Sequence, residues 1–595
     1  MSLASFIQSA TLESLEKLYG VRFTEKDFQV SMTKPEFKGD YSIVFFPLLK
    51  ALHKKPEDLG NELGQKILEL NPGTFSSFNV IKGFLNLEFS DGILNEFLHT
   101  KYNNRQYGFS DPKGETVMIE YSSPNTNKPL HLGHLRNIFI GWSMSEILKA
   151  NGYDIVKTCI VNDRGIHICK SMIAWKLYAE GATPDSTGTK GDHFVGDYYV
   201  KFNEVYQQQM QELMAGGMDK KTAEREAPVM KEAQDLLLKW ESGDKDVRAL
   251  WAKMNGWVYK GFDTTYNRIG VGFDKVYYES NTYLLGKKYV QQGLDNGVLF
   301  KKEDGSVWID LTNEQLDEKL LLRSDGTSVY MTQDIGLAAE KFQEYPLKKS
   351  IYVIGDEQIY HMKVLKAICR RMNFPFADEI HHLSYGMVEL TTGKMKSREG
   401  TVVDADDLID DMIKTSAEQT AALGKVEGST DEELSKLYEI LGLGATKFYL
   451  LRVDPKRKMV FDPKDSIDFH GFTGPFVQYT YARIKSILRK ANVSVEEFNY
   501  DISSETLLPL EKQLILQLET FESAVSESGS EMNPSIIANF VYGTAKQFNS
   551  FYTEHSVIQA ENQAKKNLRL ALSIMTANTL CSGLKLLGIQ VPERM

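Results

Sequence analysis

His131, Gly133 and His134 close the run Glu120-Tyr121-Ser122-Ser123-Pro124-Asn125-Thr126-Asn127-Lys128-Pro129-Leu130-His131-Leu132-Gly133-His134, and their types and spacing suit phosphate chemistry. Two imidazoles at a helix N-terminus can donate to a triphosphate, the helix dipole favours the anion, and Gly133 leaves room for a flat base to lie against backbone. Far downstream, Gly393-Lys394-Met395-Lys396-Ser397-Arg398-Glu399-Gly400 forms a cationic, glycine-bounded loop able to neutralise charge developing on a leaving pyrophosphate. Either run alone is weak, because a polar strand-to-helix turn or a solvated lysine loop looks the same. Their order decides: an apolar strand at 117–119, His-x-Gly-His, an apolar-periodic helix, a second strand at 154–161, a long insertion, further strand and helix pairs, then the lysine loop.

Those elements imply a nucleotide-binding sheet inside a multidomain chain. At 595 residues the protein is too long for one core. Residues 1–110 read as an α+β module: a leading helix, a strand at 28–32, helices at 43–53 and 56–70, and an extended stretch at 78–89. Residues 111–431 read as a parallel, doubly wound sheet with its ligand site at the carboxyl ends of the strands. An insertion at about 185–320, with long charged helices (203–242, 247–266) and a hairpin at 297–311, divides that sheet, which resumes at 330–333, 351–355 and 384–390. From 432 to 595 strands disappear and helical patterns with aromatics run to the end.

Hydrophobic content of 42% and 25% charged residues are ordinary for a globular chain, no stretch of about 18 apolar residues appears, and 1–18 reads as an amphipathic helix rather than a signal peptide. A cytoplasmic protein with no membrane partner is expected. Cys159, Cys169, Cys369 and Cys581 form no C-x-x-C pair, which predicts free thiols. A net charge of −11 argues against nucleic acid, yet 447–458 gathers Lys447, Arg452, Lys456, Arg457 and Lys458 around Phe448 and Tyr449, and 483–490 adds four more cations. This is either a nucleic-acid patch or a solvated face balancing the acidic stretch 404–411, and composition leaves the two level.

The two short runs resemble the HIGH and KMSKS elements of class I aminoacyl-tRNA synthetases, and over nearly the whole chain the resemblance narrows to the arginyl-tRNA synthetases. It is carried by Ser122-Ser123-Pro124-Asn125, His134-Leu135-Arg136-Asn137, Ser324-Asp325-Gly326-Thr327, Tyr330 with Asp334, and Tyr352-Val353-Ile354 leading to Gln358 and His361. Gly474-Pro475-Phe476-Val477-Gln478-Tyr479 and the closing Pro592-Glu593-Arg594-Met595 fit as well, and Gly39-Asp40-Tyr41 and Gly83-Phe84-Leu85-Asn86 resemble the family's N-terminal, tRNA-elbow-binding domain. The resemblance implies a Rossmann-like catalytic domain between that α+β domain and an all-α anticodon-binding domain. It also implies activation of L-arginine by ATP with Mg²⁺, transfer to tRNA(Arg), release of AMP and pyrophosphate, and a tRNA that must bind before activation. A monomer is expected.

In the resemblance, Tyr330 and Asp334 read the guanidinium, Asn125 and Gln358 hold the amino-acid backbone end, and Glu120 and Ser122 add contacts. His131 and His134 face the phosphates, Gly133 lies beneath adenine, Met387 and Val388 backbone stands at the adenine edge, and Lys394 with Lys396 meets the triphosphate. Anticodon contacts would come from Arg452 and Lys456 to phosphates and from stacking on Tyr542 and Phe551. The chemistry agrees, since a planar guanidinium prefers carboxylate partners, and Asp334 shares a face with Tyr330 if a helix starts there. One departure stands out: Ser397 occupies the position of the second KMSKS lysine. Lys128 is the family's substitute, and Lys396 or Arg398 can also reach. Rival readings are another class I synthetase, a small nucleotidyltransferase, and a catalytically idle tRNA-binding regulator on a synthetase scaffold, which would consume no ATP.

Overall fold

The computed structural model describes residues 2–34, 36–390, 403–422, 430–501 and 505–595. The first strands, β1 (Gln29–Met32), β2 (Tyr41–Val44), β3 (Phe75–Ile81) and β4 (Phe84–Phe89), form an antiparallel sheet in the order β1-β2-β4-β3, covered by helices Leu3–Tyr19 and Pro56–Leu70. The helix expected over 43–53 is shorter: Tyr41–Val44 belongs to β2, and Pro47 at the start of helix Phe46–Leu52 suits a first turn, where its missing N–H costs nothing.

The central sheet comprises β5 (Thr116–Glu120), β6 (Asp154–Val161) and β7 (Lys275–Tyr278), followed, after a small antiparallel sheet of β8 (Phe300–Lys301), β9 (Val307–Ile309) and β10 (Lys319–Leu322), by β11 (Leu347–Gly355) and β12 (Ile380–Tyr385). Its order is β12-β11-β5-β6-β7, and every pairing is parallel. From β5 the chain winds outward through β6 and β7, then returns to the other side of β5 for β11 and β12. The direction of winding therefore reverses between β5 and β11, and a crevice must open at their carboxyl ends. In β5, Val117, Met118 and Ile119 are all buried, the continuous apolar run of a strand covered on both faces.

Three sequence expectations change here. The insertion over 185–320 is interrupted by β7, an edge strand of the central sheet itself; its four short residues carry too little pattern to stand out between charged helices. Residues 330–333 are not a strand but the first turn of helix Tyr330–Glu344, whose buried Met331, Ile335, Ala338 and Ala339 repeat at helical spacing. The region after 432 is not strand-free: β13 (Val388–Leu390) pairs in parallel with β14 (Met459–Phe461), stitching the helical C-terminal part to the end of the sheet region.

The helix Leu132–Ala150, which follows the His-x-Gly-His, is apolar on nearly all sides because it is covered on all sides. It lies against β6 and β11 beneath, and helices Asp431–Leu451, Phe521–Glu531 and Gln563–Leu586 pack over it. Ser143 Oγ donates to the Leu586 carbonyl at 2.9 Å. All four cysteines are free.

Candidate functional site

A cavity of about 550 Å³ opens where the topology requires it, at the carboxyl ends of β5, β11 and β12. Its wall takes Glu120 and Ser122 from the end of β5, His131, Gly133 and His134 from the start of helix Leu132–Ala150, and Tyr330 and Asp334 from the next crossover helix. Gln358, His361, Met387 and Val388 also line it, with Glu357 and Tyr385 among its further residues. Ten of the residues given a site role in the sequence analysis thus share one chamber with His361.

The phosphate end is built from local capping geometry. His131 is the N-cap of helix Leu132–Ala150, in extended conformation, and its Nδ1 accepts from the Gly133 N–H at 3.1 Å. His134 Nδ1 reciprocally accepts from the His131 N–H at 3.1 Å, leaving the ring centroids 3.9 Å apart. A Cβ at position 133 would stand 3.0 Å from His131 Cε1, so glycine keeps the two rings in place. Burial, reinforced by the charge of Lys128, pushes the His131 pKa down to about 4 and holds His134 well below its ordinary value. Both rings are neutral at pH 7. With each Nδ1 accepting, the proton sits on Nε2, and each ring presents one N–H donor without a charge of its own.

The chain ahead of this cap is strained and braced. Ser122 and Ser123 sit at φ 78° and 44°, a region that disfavours side chains. Asn137, one turn into the helix, accepts from the Ser122 N–H at 2.5 Å and donates to the Val353 carbonyl at 2.7 Å, while the Ser122 and Tyr266 hydroxyls lie 2.7 Å apart. Asn137 therefore ties β5, β11 and the signature helix together at the crevice floor.

At the other end, Tyr330 is 74% exposed and Asp334 follows one turn later on the same helical face. Asp334 Oδ2 lies 2.6 Å from His361 Nε2, and this hydrogen bond raises the His361 pKa. Glu120 is buried, and its Oε2 accepts from Lys341 Nζ at 2.6 Å, with the Tyr352 ring 4.2 Å from that ammonium. Burial disfavours the Lys341 charge, but Glu120 outweighs it and the pKa is raised. Glu120 is thus already neutralised from within, which leaves Asp334, by releasing His361, and the exposed Glu357 as wall carboxylates that can meet a cationic ligand.

Several sequence expectations land elsewhere. Asn125 is exposed, bridges Asn162 by backbone and is absent from the cavity wall; it turns away because the strained pair before it redirects the chain. Lys128 lines an adjoining cavity of about 360 Å³ beside His193 and Asp404, close enough to lower both imidazole pKa values. Lys394, Lys396, Ser397 and Arg398 lie outside the described residues. Phe551 is fully buried against Phe548 and has no face for a base. Tyr542 is half-buried, wedged 4.7 Å from Phe472 and 5.2 Å from Phe476. Arg452 stacks 3.8 Å over Tyr449 and donates to the Phe472 carbonyl at 2.5 Å, and Lys447 is buried on the Gly588 carbonyl, so these two cations serve internal structure, whereas Lys456, Arg457 and Lys458 are exposed. Sequence reasoning missed Asn137, Lys341 and Tyr385 as site residues and gave His361 no role; only its three-residue spacing from Gln358 hinted at one.

Known proteins resemble this chain over its whole length. Residues 97–462 match the family described as tRNA synthetases class I (R), catalytic domain; residues 477–595 match the DALR anticodon binding domain, and residues 5–89 the arginyl tRNA synthetase N terminal domain. An arginine–tRNA ligase of Bacteroides thetaiotaomicron is 52% identical over the full length of both chains, and one of Porphyromonas gingivalis is 50% identical, again over both whole chains. Among solved structures, the arginyl-tRNA synthetase of Thermus thermophilus superposes with a TM-score of 0.81 at 25% identity, covering all of both chains.

Proposed function

The chain belongs to the class I arginyl-tRNA synthetases, and from that membership we propose how this cavity performs ATP-dependent joining of L-arginine to tRNA(Arg). The arginine carboxylate attacks the α-phosphorus of ATP, pyrophosphate leaves, and a ribose hydroxyl at the tRNA 3′ end then takes the arginyl group from the adenylate. No covalent enzyme intermediate is required, so the protein's part is positioning and charge neutralisation.

The observation that carries the reading is the pairing, in one cavity, of a neutral two-imidazole cap with a carboxylate held by an exchangeable histidine. His131 and His134 donate Nε2–H to phosphate oxygens while adding no charge that would trap the ground state. Asp334 takes the guanidinium, with Tyr330 beside it, and Gln358 holds the amino-acid end. Glu120 and Lys341 shape the floor as a neutral pair, and Ser122 serves there through its brace to Tyr266. Lys394 and Lys396 act on the triphosphate, and Lys128 supplies charge close to His131. The Met387 carbonyl already accepts from Met459 N–H at 3.1 Å and Arg136 at 3.2 Å, so adenine is read by the other backbone groups of Met387 and Val388.

Mg²⁺ enters with the nucleotide as part of the substrate. Among the described residues, the cluster of His and carboxylate side chains close enough to share an ion is Asp192, His193 and Asp406, and there the Lys190 ammonium already sits 3.0 Å from Asp192 and 2.7 Å from Asp406. The same reading has the enzyme working as a monomer in the cytoplasm, where the tRNA pool is. No described helix is long and apolar enough to cross a membrane. ATP–pyrophosphate exchange in the presence of tRNA tests the proposal: exchange dependent on arginine supports it, and none with arginine overturns it and revives the idle scaffold.

A further inference from the structure

Arg136, two residues past His134, is wholly buried, and among the described residues no carboxylate lies within ion-pair distance of it. Its guanidinium instead gathers three carbonyls: Nη1 donates to Met387 at 3.2 Å, and Nη2 to Pro455 at 3.3 Å and Arg457 at 2.6 Å. Burial pushes its pKa down to about 10, which leaves it charged at neutral pH. The carboxylates of Asp356 and Asp454 act on it only from beyond ion-pair distance. A cation hydrogen-bonded only to neutral acceptors is an expensive way to fill space, since an apolar side chain of similar volume would avoid the desolvation. What an apolar chain cannot do is fix three carbonyls in the planar fork of a guanidinium.

Those carbonyls come from the two segments that make the wall at Met387. Gly386 N–H donates to the Pro455 carbonyl at 2.8 Å, and β13 pairs with β14. A Cβ on Gly386 would stand 2.7 Å from the Arg457 carbon, so the segments touch backbone to backbone. The turn presenting Pro455 and Arg457 is closed by Asp454, whose carbonyl accepts from Arg457 N–H at 3.0 Å and whose Oδ1 accepts from Lys456 N–H at 2.8 Å. One helix therefore carries the phosphate-facing histidines at its end and, two residues past His134, the clasp that holds the wall at Met387.

We propose that Arg136 is a positioning residue for the nucleotide: it holds the Met387–Val388 wall at a set distance from His131 and His134, so that one molecule of ATP spans both. The inference rests on the reading of this cavity as the ATP site. Calorimetric binding of ATP and of arginine, each measured separately on the full chain, tests it with Arg136→Lys and Asp454→Ala, the second loosening the turn from outside the cavity. The expected result is ATP affinity reduced roughly tenfold in Arg136→Lys, about 1.4 kcal/mol, a smaller loss in Asp454→Ala, and arginine affinity within about twofold of the parent in both. Should Arg136→Lys fail to fold, Asp454→Ala decides alone. Unchanged ATP affinity in the folded variants, or equal losses for ATP and arginine, overturns the inference while leaving the cavity reading intact. An unaltered chain that binds arginine but no ATP overturns both.

Discussion

A histidine at the N-cap of the signature helix is neutral at pH 7, and that is a property of its burial rather than of its sequence. The folded pKa of His131, about 4, lies below the ordinary 6.5, so the unfolded chain binds the proton more tightly. Its contribution to stability is whole above pH 6.5 and is lost as pH falls through about 4. The His131 Cε1–H resonance should accordingly stay flat from about pH 8 to about pH 5.5; a midpoint near 6.5 would contradict the neutral-donor account. At the other end of the cavity, Asp334→Asn keeps shape and removes charge. Because Asp334 is 39% exposed without ligand, the lower end of the range for unpairing a covered ion applies, about 2 kcal/mol or roughly 30-fold weaker arginine binding. Unaltered affinity would remove Asp334 from recognition. The His-x-Gly-His was legible because a cap uses neighbours three residues apart, and Tyr330 with Asp334 because a helical turn brings i and i+4 together. The partner of Glu120 was not legible: Lys341 stands 221 residues away, on a helix that only the tertiary fold brings to the end of β5.

At the scale of elements, that pair fastens helix Tyr330–Glu344 to the end of β5, where both the amino-acid wall and the cavity floor depend on it. Removing one partner leaves the other buried and unpaired. Lys341→Met should therefore destabilise the chain by about 3 to 5 kcal/mol, and the double change with Glu120→Gln should restore most of it. Urea unfolding of the four proteins measures this, and a double variant no more stable than Lys341→Met would show that packing, not charge, sets the loss. The main strands were readable where apolar runs were long, as in β5 and β11. They were lost where short: β7 hid among charged helices, and 330–333 looked strand-like in a window too narrow to include the apolar positions at 335, 338 and 339. The basic run at 447–458 stayed undivided for a related reason: composition counts its charges without saying that the fold turns Lys447 inward and leaves Lys456, Arg457 and Lys458 exposed.

Across the whole molecule, the N-terminal and C-terminal parts grip one another as well as the sheet. Glu519, buried, accepts from Tyr41 Oη at 2.7 Å and from the Leu3 N–H at 2.5 Å, and Lys512 lies 3.0 Å from Asp40. The modules matched to the N-terminal and anticodon-binding families are therefore mechanically joined to each other, and the signature helix is enclosed beneath the second. A tRNA engaging both would load the same body that carries His131 and Arg136. Pyrophosphate exchange with arginine should rise when tRNA(Arg) is added and should lose that rise in higher salt, as phosphate contacts weaken; equal rates with and without tRNA would remove the coupling. The most direct test of the account as a whole is charging of unfractionated tRNA with each amino acid supplied separately. The cavity described here predicts that arginine alone is esterified, with lysine left uncharged because its point charge does not match a site built for a planar fork. Esterification of any other amino acid at a comparable rate, or of none, would contradict it.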